Sequence, residues 1–473
     1  MITTNETKQK IKEYLEEHKE EFLDDLAVLI SIPSVEGEPE EGMPFGKNCA
    51  DALGAMLKIC EKYGFETRNL ENYAGTAVFK GKNDLICLDI LSHLDVVAEG
   101  LGWNTKPFAL SEKGEFIYGR GVIDDKGPAL ASLYAARALK ELGILPKNSI
   151  KLIFGSAEET GSADLRYYFR TEKSAPYTFT PDANFPIYNG EKGRYCSVFS
   201  IATENEFGSR VTSFTCGNAP NIVPEIARCT FAGVSEAAAK EAAAKLEENL
   251  GVTYDMEFKG RELEVICRGK SAHAAHPQVG TNALTALIKL IVSLPLDPTS
   301  SFEAFRNLDA LLPHGDYHGQ NIGIYMEEEI SGVITVAFSM LHFDGGFLSG
   351  VCDIRLPFCA TEENSRNVFD KKLTDAGFTV TGDMTKPHYV DGNGEFVRAL
   401  GECYEFVTGR KSETLVTGGG TYVHDIEGGV AFGPDFGDYE ANLHGANECV
   451  KIKDLLLASE VYAVAMLEVA DKI

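Results

Sequence analysis

Five short stretches hold the side chains suited to metal and proton chemistry: ILSHLDVV (90–97), GRGVIDDKGP (119–128), GSAEETGS (155–162), TPDANFP (180–186) and ANLHGANE (441–448). His93 and Asp95 are spaced i, i+2, which on an extended segment places both on one face. A metal-bound imidazole usually donates its second ring N–H to a carboxylate or carbonyl, and Asp95 is placed to be that partner. Asp124 and Asp125 follow a glycine-flanked turn, where the backbone can approach a ligand closely. Glu158 and Glu159 stand side by side after an apolar run, although like charges repel. Each stretch has a plainer account: a core histidine, a charged turn, a pair of solvated acids. Together they offer two histidines, two aspartates, a glutamate and a spare glutamate. That is the inventory of a two-metal hydrolase, whose bridging carboxylate holds ions about 3.5–4 Å apart. Imidazoles with hard oxygen ligands suit Zn²⁺ or Mn²⁺. Spacing leaves open which glutamate would bind metal and which would move a proton.

The surrounding pattern supplies elements to hold them. Ile11, Tyr14, Leu15, Phe22, Leu26 and Leu29 recur at helical spacing up to SIPS, and a second helix is predicted over 46–63 with Gly64 as its cap. TAVFK and LICLDIL read as strands, GPALASLYAARALKELG as a helix and SIKLIF as the next strand. This order predicts an α/β layer with a central, mostly parallel sheet flanked by helices. The first and third chemical stretches directly follow apolar strands, and such sheets bind ligands at the carboxyl ends of their strands. Near residue 190 the pattern changes to short alternating strands, with VSEAAAKEAAAKLEENLG as a solvated helix. After about residue 383 it returns to helices and buried strands. The simplest organisation is one domain, 1–187 with 384–473, interrupted by an α+β domain over 188–383.

A chain of 473 residues is too long for one ordinary core. Its net charge of −27 argues against nucleic acid and anionic membrane surfaces as partners. The eleven cysteines are scattered without a Cys-x-x-Cys pair, which predicts reduced, mostly buried thiols. The first residues contain no apolar leader, and no run approaches a membrane span, so a cytoplasmic location is expected. TGGGTY (417–422) lacks the context of a dinucleotide motif, and DDKGP lacks the spacing of a phosphate loop. His314 and His318 are spaced i, i+4 in a loop-like stretch and read as surface residues.

SHLDVVAEGLGWNTKPF, GRGVIDDKGP, EETG and SAHAAHPQVGTNA, in that order, resemble the aminoacylase/carboxypeptidase family of co-catalytic metallopeptidases. TPDANFPIYNGEKG, GGGTY and the long middle segment are most similar to its peptidase V-like, carnosinase-like dipeptidases. The resemblance implies a catalytic domain with an inserted lid, two divalent ions per chain and hydrolysis of dipeptides. It assigns His93 and Asp182 to one ion, Glu159 and His444 to the other, and Asp124 to both, with a cis peptide bond between Asp124 and Asp125. Asp95 would orient His93. Glu158 would be the general base acting on a water that bridges the ions. His273 and Asn221 would stabilise the oxyanion, Arg355 would clamp the substrate carboxylate, and Gly419 and Thr421 would lie along the substrate. His276 is assigned no role. His424 stands where arginine is common in this family. The long middle domain implies a catalytically self-sufficient monomer with hinges near 187–190 and 382–385. An N-acyl amino acid deacylase or desuccinylase of the same site, or a non-catalytic metal-binding relative, is the alternative.

Overall fold

The computed structural model describes residues 2–204 and 207–472. The chain forms two compact units: 1–190 with 389–416 and 420–473, and 191–388 with 417–419.

In the first unit the helical periodicity near the N-terminus resolves into two helices, Asn5–Glu17 and Lys19–Ile30. The break falls at His18, whose ring stacks on Tyr14 and contacts its carbonyl at 2.8 Å. Six successive strands of the larger sheet run Glu66–Leu70, Ala74–Phe79, Asn148–Gly155, Asn83–His93, Tyr177–Thr180, Val430–Ala431. It is mixed. Asn83–His93 pairs in parallel with both neighbours, and Val430–Ala431 continues that sense. The first two strands join antiparallel. Parallel strands are covered on both faces, and Asn83–His93 is accordingly buried from Cys87 to its end.

The cover includes the helices Lys126–Glu141 and Ile452–Ala470, which pack against each other. Both are alanine-rich, so their backbones approach closely, and both are buried around almost their whole circumference. Each leucine or valine so buried contributes roughly 1.5–3 kcal/mol. One position works against this. Glu460 is 5% exposed, and burial pushes its pKa up to about 7 against the attraction of Lys8 and Lys12. The folded state therefore holds this proton more tightly than the unfolded chain, whose value is 4.5. Stability contributed by protonation is present below that value and is lost as pH rises through about 7. Glu460→Gln is expected to melt above the parent at pH 8, by at most about 3 kcal/mol of stability, with the gap closing below about pH 5. Melting curves across that range check it.

The second unit is an antiparallel sheet: Thr253–Lys259, Glu262–Arg268, Ile226–Ala232, Arg210–Cys216, Thr335–Phe343, Phe347–Leu356, Gly193–Ala202, Thr379–Thr385. The helices Glu236–Leu250, Ala283–Ser293, Ser300–Leu311 and Arg366–Asp375 share its apolar core. The alanine-rich helix starts at Ser235, whose hydroxyl accepts from the Ala238 N–H, and ends at the left-handed Gly251. His314 and His318 are half-buried here rather than on the surface. Thr285 and the Ile334 carbonyl are their respective hydrogen-bond partners, so the loop is built around them.

Candidate metal centre

Three parallel strands deliver the first ligands. His93 ends its strand, level with Gly155 on the neighbour. Glu158 and Glu159 follow Gly155, and Asp182 follows the strand ending at Thr180. Asp124 and Asp125, joined by a cis peptide bond, immediately precede the buried helix Lys126–Glu141. Gly127 lets that helix start against the turn, since a Cβ there would lie 2.0 Å from the Val122 carbonyl oxygen. His444 sits in a loop where Asn442, His444 and Asn447 all have positive φ, between 54° and 62°. Asparagine and histidine are enriched in this region relative to other non-glycine residues, so the local sequence suits the turn that presents the imidazole.

The side chains converge. The Nε2 atom of His93 is 3.0 Å from Asp124 Oδ1 and 3.6 Å from Asp182 Oδ2. The Nε2 atom of His444 is 2.9 Å from Asp124 Oδ2 and 3.3 Å from Glu159 Oε2. Asp124 thus turns one oxygen to each histidine. Ligand atoms of His93, Asp124 and Glu159 lie within 4.8 Å of one another, as do those of His93, Glu158 and Asp182. His93 Nδ1 is 3.0 Å from the Asp95 carbonyl oxygen. A carbonyl only accepts, so Nδ1 carries a proton and Nε2 is the atom turned to the carboxylates.

Asp95 therefore steers His93 through its backbone. Its carboxylate is 3.5 Å from Nδ1 and accepts instead from the Glu158 and Glu159 N–H groups, at 3.1 and 3.0 Å. Asp125 accepts from the His93 N–H at 3.0 Å.

The electrostatics call for cations. Burial raises the pKa of Glu158, with Asp182, Glu159 and Asp95 adding to the rise. Burial likewise raises Glu159 and Asp182, with Asp124 adding to both. Burial opposes protonation of His93, yet Asp124, Asp182 and Asp95 together hold its pKa well above the usual value. Asp124 and Glu159 raise that of His444 to about 11. The pocket gathers more negative charge than a buried site tolerates alone, and dications reverse that balance. His93 Nε2 is wholly buried without a hydrogen-bond partner among the described residues. A ring nitrogen set among carboxylate oxygens favours positive charge at that point, and a divalent cation fits it.

A second layer ties the ligand loops together, and sequence reasoning missed it. Arg120, 1% exposed, donates to Glu448 at 2.7 Å and to the Gly445 carbonyl at 3.0 Å. Glu448 in turn accepts from the Gly121 and Ile123 N–H groups. This joins the Asp124 turn to the His444 loop. Lys126, wholly buried, donates to the Leu29 and Ile32 carbonyls, so it caps the end of a helix. GRG and ANE were visible as motifs, but nothing local pairs them.

Thr421 lies in the first unit and accepts from the Val423 N–H as the cap of a short 3₁₀ turn, Tyr422–Asp425, that includes His424. The other expected site residues belong to the second unit. Asn221 and His273 lie together: Ile222 pairs with His273, and the Ala274 N–H donates to the Asn221 carbonyl. His273 Nδ1 accepts from the Ala275 N–H at 3.2 Å, which puts the ring proton on Nε2. Arg355 is nearly buried, with a two-point contact to Asp353 at 2.6 and 3.2 Å and a third bond to the Gly418 carbonyl at 2.6 Å. Gly419 follows directly and donates to Thr417 Oγ1.

Residues 90–468 match the model of Peptidase family M20/M25/M40. Among similar proteins are a Beta-Ala-Xaa dipeptidase of Lactobacillus delbrueckii subsp. lactis, 34% identical, and a putative dipeptidase, YtjP, of Bacillus subtilis (strain 168), 32% identical. The alignments cover 97% of both chains in the first case, and 96% of this chain and 98% of the relative in the second. The fold is similar to human carnosine dipeptidase 1, with a TM-score of 0.61 at 16% identity over 98% of this chain and 100% of the other. It is also similar to aminoacylhistidine dipeptidase from Vibrio alginolyticus, with a TM-score of 0.56 at 15% identity over 94% and 95%. The chain belongs to Peptidase family M20/M25/M40 and is a peptide-bond hydrolase.

Proposed function

We propose that the chain is a dinuclear metallo-dipeptidase using two divalent cations, Zn²⁺ or alternatively Mn²⁺. The observation that supports this most is the division of the Asp124 carboxylate, one oxygen toward His93 and the other toward His444. His93 and Asp182 would hold one ion, Glu159 and His444 the other, and Asp124 both. Such ions, when bound, polarise a carbonyl and lower the pKa of water toward about 7.

The chain's own groups do the rest. Glu158 takes the proton of the attacking water and returns it to the leaving amine. Its raised pKa, moderated by nearby cations, suits a group that must both accept and give a proton near neutrality. His273 donates its Nε2–H to the oxyanion, with Asn221 beside it. Arg355 has five N–H donors, of which three are engaged; the other two would serve the substrate carboxylate. Gly419 and Thr421 shape the substrate path. The 188–383 segment acts as a lid, and one chain is catalytically self-sufficient. Unpaired thiols throughout support a cytoplasmic location. No helix among the described residues is long and apolar enough to cross a membrane. The dipeptidase relatives support a dipeptide substrate.

The test is release of free amino acids from a dipeptide panel and from N-acyl amino acids, after loading with Zn²⁺ or Mn²⁺. Dipeptide cleavage with a turnover per chain that is constant over a hundredfold dilution is expected. Cleavage of the acylated set alone would establish a deacylase instead. Two bound ions without any hydrolysis would establish a binding protein.

A further inference from the structure

The turn that carries Glu158 and Glu159 is held in an uncommon way. Four successive backbone N–H groups, from Ser156 to Glu159, donate to buried carboxylates. Glu158 and Glu159 donate to Asp95, as described above. Ser156 and Ala157 donate to Asp164 Oδ2 at 2.6 and 2.9 Å. The same oxygen accepts from the Tyr422 hydroxyl, while Asp164 Oδ1 accepts from the Leu165 N–H at 2.7 Å. Asp95 and Asp164 are 1% and 0% exposed, and Tyr422 is 3% exposed. The Tyr422 ring also stands edge-on to the His93 imidazole, with centroids 6.1 Å apart.

The packing admits little else. At Gly155, a Cβ would lie 1.9 Å from the Tyr422 hydroxyl oxygen and 2.4 Å from Asp164 Oδ2. The lock therefore occupies the space where any other residue's side chain would begin. Asp164 belongs to neither group of ligand atoms around His93, and Tyr422 meets that imidazole through its ring. Their polar atoms are spent on the backbone beneath the two glutamates.

We infer that Asp164 and Tyr422 are positioning residues: they fix the backbone of residues 156–159, and through it the reach of Glu158 to the reacting water. The inference rests on the reading of Glu158 as the proton-transferring group. The tyrosine of TGGGTY thus has a role distinct from the substrate contacts expected of Gly419 and Thr421. A buried carboxylate with three donors on one oxygen is held strongly, and removing one donor lets it rotate and release the amides. A misplacement of about 1 Å at a reacting group costs on the order of 10²-fold in rate.

The test compares Tyr422→Phe with Tyr134→Phe in the metal-loaded full chain. Tyr134 is equally buried in the same unit and donates to a different aspartate, Asp25, at 2.8 Å. Three readouts are taken: hydrogen exchange of a peptide spanning 155–162, kcat and KM on a dipeptide, and Co²⁺ stoichiometry. Tyr422→Phe is expected to speed exchange of the 156–159 amides at least about tenfold and lower kcat about 10- to 100-fold. KM should stay within about twofold and two ions should remain bound. Tyr134→Phe should leave exchange at 156–159 and kcat unchanged at a similar loss of melting temperature. Asp164→Asn, which keeps one acceptor oxygen, should retain more turnover than Asp164→Ala. Unchanged exchange in Tyr422→Phe, or a kcat loss no larger than in Tyr134→Phe, would overturn the inference. If the parent cleaves no dipeptide, the proposed function fails, while the exchange comparison still decides whether the clamp exists.

Discussion

Glu158→Gln is expected to keep both metal ions and to lower kcat about 10²–10⁴-fold, the range for a positioned acid–base group. Glutamine keeps the shape and one acceptor oxygen but takes no proton. The backbone under it is unchanged, since its main-chain N–H groups donate to Asp95 and Asp164 and not to Glu158. KM is expected to change little, because the lost interaction belongs to the transition state. The neighbouring change, Glu159→Gln, should act differently. Glu159 Oε2 lies 3.3 Å from His444 Nε2, on the side of the site where Asp124 presents its second oxygen. Its loss should weaken metal affinity, and turnover should recover in part at high metal concentration. Metal content by elemental analysis, metal titration calorimetry and kcat on one preparation distinguish the two. Swapped phenotypes would reverse the roles given to the glutamates.

The second large effect is expected at Asp124. Its two oxygens lie 3.0 and 2.9 Å from different histidines. An amide has only one acceptor oxygen, so Asp124→Asn can serve one side at most. The bound stoichiometry should fall from two ions to one or none. Affinity should fall by more than the roughly 10–100-fold typical of losing a partner behind the ligands. Turnover should disappear with it. A binding readout needs no activity: ligands that bind only the folded state raise stability by RT ln(1 + [L]/Kd), about 2.7 kcal/mol at a hundredfold excess over Kd. The parent should melt higher on adding Zn²⁺, and Asp124→Asn should lose most of that rise. An undiminished rise in the variant would show that Asp124 is not shared between the ions.

The side chains that converge were more legible than the contacts that hold their loops. His93, Asp124, Glu158, Glu159, Asp182 and His444 could be singled out because they follow apolar strands or sit in glycine-containing turns. The physics of parallel sheets puts ligands at such strand ends. The helices also followed from periodicity, with the break at His18 as a local exception set by its ring on Tyr14. The antiparallel flank of the first sheet was not legible, because an apolar strand reads the same whichever way its neighbour runs.

What the sequence determined by itself is the set of side chains, the burial of the strands that carry them and the change of character near residue 190. Those depend on residue type and short-range periodicity. What only the tertiary structure decided is how the loops are held to one another. Tyr422 meets Asp164 across 258 residues, and Arg120 meets Glu448 across 328. Asp95, expected to spend its carboxylate on His93, spends it on the glutamate turn. Arg355 meets the Gly418 carbonyl across 63 residues. A buried polar group must find a partner wherever packing brings one, and no short window of sequence contains that information.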